Sequence, residues 1–116
     1  MTATRIYKLL TAGQWRAAKA AGVFRGAPDD WRDGFIHFSD ASQLRETARK
    51  HFAGAGPLKI IAVETDALGD ALKWEPSRGG ALFPHLYGDL KLDMVADVFD
   101  APPGDDGAHI LPSDLV

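Results

Sequence analysis

Twice in its first half the chain runs from an apolar stretch straight into a helix-capping box. Ile6, Tyr7, Leu9 and Leu10 precede Thr11, and Gln14 follows Thr11 by three residues; Ile36 and Phe38 precede Asp40, and Gln43 follows at the same spacing. In that pattern the cap side chain accepts the N–H at the third helical position, and the Gln reaches back to the cap's own N–H. Two strand-to-helix junctions are therefore expected. Thr4 to Leu10 reads as a strand and Thr11 to Ala21 as a capped helix, with Gly22 placed to end it in a left-handed turn. Val23 to Asp33 reads as a loop carrying Arg25, Trp31 and Arg32. Gly34 to Phe38 reads as a second strand. The second helix, to about Phe52, shares Leu44, Ala48 and Phe52 along one face.

The rest is strand-rich. Leu58 to Glu64 is the clearest buried strand, Ala71 to Trp74 another, and Leu92 to Phe99 a last one. Pro84 makes Leu82 to Tyr87 an expected edge or irregular segment. Ala101 to Val116, rich in Pro, Gly and Asp, is expected to wrap the surface of a single domain spanning 1–116. Two main helices in front of several strands indicate an α+β class. At 116 residues with 46% hydrophobic content, one core is affordable without staples.

Several function classes fall away. With no cysteine there is no disulfide framework, thiolate zinc site or cysteine nucleophile, and a reducing, cytoplasmic setting is expected. No signal peptide or membrane span is visible. A formal net charge of −3 disfavours general nucleic-acid binding. His37, His51, His85 and His109 form no spaced metal pair, so no metal is expected. No Gly-x-Ser-x-Gly elbow, Walker loop or dinucleotide fingerprint occurs.

The remaining candidates cluster. Phe35, His37 and Ser39 alternate onto one strand face just before a helix start, where free N–H groups favour an anion. Glu75, between Trp74 and Pro76, has two readings: a partly desolvated carboxylate with a raised pKa, which suits acid–base work, or an ordinary salt-bridge partner for Lys73 or Arg78. His85 and Tyr87 alternate on one side of their segment, where they either line the same pocket as His37 or pack as amphipathic side chains with polar tips.

Ile6-Tyr7-Lys8, Trp15, Gly22, Asp33-Gly34-Phe35-Ile36-His37-Phe38-Ser39 with Gln43, Trp74-Glu75-Pro76 and Phe83-Pro84-His85-Leu86-Tyr87-Gly88 occur in that order. Together they resemble the bacterial domain-of-unknown-function family 952, over nearly all of the chain to about Phe99. The resemblance implies a fold similar to ADP-ribosyltransferases, a split β structure around a cleft that holds NAD in enzymes of that fold. The front half is also similar to the RNA 2′-phosphotransferase branch, which carries Tyr-His-Gly-Thr on a first strand and His-x-His-Leu-Ser on a later one. His37 and Ser39 match the second motif and Tyr7 the first. Lys8 and Leu9-Leu10 replace His and Gly-Thr, which removes an imidazole and a close backbone approach.

The resulting expectation is a small-molecule, nucleotide-like binding domain with Tyr7, Lys8, Arg32, His37, Ser39, His85 and Tyr87 at its ligand. The alternatives are an NAD-using transferase with Glu75 and His37 catalytic, and an interaction protein without a ligand.

Overall fold

The computed structural model describes residues 4–115 and is an α+β structure whose strand pairings are antiparallel. The first strand, β1 (Arg5–Thr11), leads into α1 (Ala12–Ala21). Thr11 accepts Gln14 N–H at 3.1 Å and Gln14 Oε1 accepts Thr11 N–H at 2.9 Å, the reciprocal cap expected. Gly22 follows at φ 76°, a value open to glycine at little cost.

The expected loop over Val23–Asp33 is corrected. It holds a two-residue strand, β2 (Val23–Phe24), and a third helix, α2 (Pro28–Asp33). Pro28 is suited to a first helical turn because its missing N–H would have had no partner there. Gly34, expected in a strand, instead caps α2 at φ 86°. The chain then re-aims into a short strand, β3 (Ile36–His37), before α3 (Ala41–His51), where Asp40 and Gln43 form the second reciprocal cap.

Two three-stranded sheets follow from the pairings. One has the order β1-β4-β8, with β4 (Leu58–Glu64) between β1 and β8 (Val95–Ala101). The other has the order β3-β6-β5, with β5 at Leu72–Pro76 and β6 at Leu82–Leu86. A further short strand, β7 (Leu90–Lys91), pairs with β2. The two larger sheets meet at one bridge, where Tyr7 N–H donates to Ser39 O at 2.8 Å and Ser39 N–H to Tyr7 O at 2.9 Å.

The strand around Pro84 is central, not the edge that a proline suggests. The Pro84 carbonyl accepts Phe38 N–H, so its backbone polar side turns toward β3. A strand residue's N–H and carbonyl lie on the same side, so the donor that Pro84 lacks would have faced β3, and its absence costs no bond to β5.

β4 is buried on both faces, which explains its unbroken apolar run. Ile61 and Val63 join Ile6, Leu10, Phe24 and Leu86 in one core cluster. Ile60 and Leu58 join Tyr7, Leu9, Leu44 and Ala48 in a second cluster under α3. Leu111 and Leu115 of the C-terminal segment pack on that second cluster, and His109 hydrogen-bonds Gly56 O at 2.6 Å. Among the described residues no helix is long and apolar enough to cross a membrane.

Candidate functional site

A cavity of about 410 Å³ opens where the two sheets join. β1 contributes Tyr7, Lys8 and Leu9, and α2 contributes Asp30 and Arg32. His37 and Ser39 come from the β3 segment, Thr47 and His51 from α3, and Phe83 and His85 from β6.

The wall is organised by Asp30, a residue that sequence reasoning missed. It is 3% exposed. One carboxylate oxygen accepts Ala27 N–H at 2.8 Å. The other accepts His37 N–H at 3.0 Å and His37 Nδ1 at 2.6 Å. Lys8 Nζ lies 3.1 Å away, itself buried. Burial pushes the Asp30 carboxyl up, but His37, Lys8 and the two backbone donors outweigh it and hold the group at about 2. Burial lowers the Lys8 ammonium, and Asp30 opposes that.

A second shell of charge reaches outward. His37 Nε2 lies 2.9 Å from Asp33, and Arg32 grips Asp33 at 2.9 and 3.1 Å. Both nitrogens of His37 thus face carboxylates. The Arg32 guanidinium is the largest influence holding Asp33 below its ordinary value.

Asp30 makes acid sensitivity predictable. Its folded value of about 2 lies below the ordinary 3.8, so the ionised form stabilises the fold above 3.8. That contribution, roughly 2 kcal/mol, disappears as pH falls through the folded value. Urea melts at pH 4 and pH 2 are expected to show a larger loss in the wild type than in Asp30→Asn, which keeps only the loss from the other depressed carboxylates; equal losses would remove Asp30 as the cause.

Behind the cavity lies a second cluster. Glu75 Oε1 accepts the Tyr87 hydroxyl at 2.7 Å and lies 2.8 Å from His85 Nδ1. Phe35 stacks on His85 at 3.9 Å and touches the His37 ring at 4.5 Å. The expected rise in the Glu75 pKa is corrected. The Tyr87 and His85 hydrogen bonds lower it, because both donors stabilise the carboxylate.

Of the predicted residues, Tyr7, Lys8, Arg32, His37, Ser39 and His85 line the cavity. Glu75 and Tyr87 lie outside its lining and connect to it through His85. The Ser39 hydroxyl pairs with Thr47 at 2.9 Å and not with His37. The anion seat expected at the start of α3 is taken by the chain's own Asp40, which accepts Gln43 N–H at 3.0 Å. Asp30 was readable in principle: a proline followed by acidic residues marks a first helical turn, which places Asp30 back over Ala27 N–H.

Comparison with solved structures finds protein CC0527 from Caulobacter crescentus. Its crystal structure is 49% identical, covers 93% of this chain and 95% of that one, and superposes with a TM-score of 0.89. Its solution NMR structure is 50% identical, covers 90% of each chain, and gives a TM-score of 0.81. No curated protein matches. A family profile described as protein of unknown function (DUF952) matches residues 9–98, and the chain belongs to that family.

Proposed function

We propose that this domain binds a small, nucleotide-like molecule in the cavity beside Asp33–Ser39. The observation that carries the reading is the buried Lys8–Asp30 ion pair on the cavity wall, with the half-buried His37 hydrogen-bonded to Asp30. A buried ion pair adds little to stability compared with well-packed apolar side chains of similar volume. Fixed charge at a cavity wall instead orients what enters it. The volume suits a small molecule, since such sites span roughly 300–1,000 Å³. Phe38, Phe52 and Phe83 supply apolar surface beside the polar groups.

The similarity of the motifs to ADP-ribosyltransferases, with NAD as the ligand of that fold, supports a nucleotide-like class. Lys8 and Leu9-Leu10 at the first motif favour binding without turnover. The Glu75–His85 contact favours a second reading, transfer chemistry on bound NAD, because a carboxylate on Nδ1 fixes the imidazole tautomer. In that reading Glu75 orients His85 at the cavity wall, and His37 holds the ligand.

The test is amide NMR of the 15N-labelled protein with NAD, ADP-ribose and 2′-phosphorylated RNA. Shifts at Lys8, His37, Thr47 and Phe83 are the expected result, with NAD intact after hours. Nicotinamide release would establish the second reading in its place. No response from any of the three, with His37→Ala equally silent, would remove the second reading, and silence from adenosine as well would remove both.

A further inference from the structure

We infer that the cavity admits the uncharged part of such a ligand and turns phosphate away, so that nucleosides bind more tightly than their 5′-monophosphates. The inference rests on the small-molecule reading above and narrows its ligand class.

Lys8 and Arg32 face Asp29, Asp30 and Asp33 around the cavity, two positive charges against three negative. Occupancy matters more than the sum. Lys8 Nζ meets the Asp30 carboxylate at 3.1 Å. Arg32 commits Nε and Nη2 to Asp33 at 2.9 and 3.1 Å and turns Nη1 to Asp29 at 3.5 Å. His37 commits Nδ1 to Asp30 at 2.6 Å and Nε2 to Asp33 at 2.9 Å.

Proteins commonly hold phosphate with an arginine fork or with the free N–H groups of a helix start. The arginine fork is present at the cavity and is satisfied by the chain's own Asp33; the start of α3 lies outside the cavity lining and is capped by Asp40. An incoming phosphate must displace a tethered carboxylate and then lie beside it. Like charges set together in an interface act against the wrong partner in this way. Leu9, Phe52 and Phe83 offer apolar surface, and Gln14 adds a neutral amide. That combination suits a heteroaromatic ring and neutral hydroxyls.

The test compares adenosine and uridine with their 5′-monophosphates by amide NMR titration at pH 7 and low salt. The nucleosides are expected to bind at least ~10-fold more tightly, a difference that like-charge repulsion readily supplies. Asp33→Asn is expected to close most of that gap, because it removes a negative charge and releases the Arg32 fork. Added salt should narrow the gap in the wild type, an arm that does not depend on the variant folding. Monophosphates binding equally or better at the cavity would overturn phosphate exclusion and leave the binding reading intact. A gap insensitive to salt and to Asp33→Asn would overturn the charge mechanism. Silence from all four compounds would overturn this inference together with the nucleotide-like reading.

Discussion

Asp30→Ala is expected to destabilise the domain by about 3–5 kcal/mol, the cost of breaking one side of a buried ion pair. The substitution strips Lys8 of its counter-charge while Lys8 stays 7% exposed. It also orphans the N–H groups of Ala27 and His37, which Asp30 accepts at 2.8 and 3.0 Å. Lys8→Met should cost less, since Asp30 keeps His37 and both backbone donors. In the double variant Lys8→Met with Asp30→Ala, part of the lost stability should be recovered, because no buried charge is left alone. Urea denaturation of the four proteins gives the coupling directly. A cost below about 1 kcal/mol for Asp30→Ala would mean that water reaches the pair, and that the wall is not the dry, fixed surface described above.

Leu44→Ala is expected to cost about 2–5 kcal/mol, the range for truncating a buried leucine. Leu44 is 1% exposed and seats α3 on the second core cluster, beside Tyr7, Leu9 and Leu58. The same helix carries Thr47 and His51 on the cavity wall. Faster amide exchange along α3 should therefore accompany the loss in the denaturation curve. A loss within the range of a surface substitution would show that α3 is held by its cap and not by Leu44.

These two residues also mark what the sequence reveals and what it hides. Leu44 is legible because helix periodicity and a capping box are local signals, and α1, α3 and β4 all follow from such signals. The α2 helix escapes because its six residues are too few to show a period, and only Pro28 and the acidic first turn mark it. Pro84 misleads because a proline is excluded from a central strand only where its N–H is needed, and that need depends on where β3 stops. Glu75 misleads similarly: its Trp and Pro neighbours suggest desolvation, but Tyr87 and His85 donate to it from across the β5–β6 pairing. Lys8 and Asp30 stand 22 residues apart, and nothing local couples them. Most of the predicted ligand residues gather at one cavity because β1, the β3 segment and β6 converge there, while the carboxylates that occupy their charges come from a helix that the sequence does not announce.

The single bridge between Tyr7 and Ser39 has a mechanical consequence. β1 and β4 are paired along seven positions and resist relative rotation as a plank does. A junction of one residue pair acts as a rivet: it fixes the spacing of the two sheets at a point and leaves the angle between them to the side chains wedged on either side. The width of the cavity is therefore an angular quantity. Substitutions in those wedges, well away from the wall, would retune the aperture while every wall residue keeps its identity.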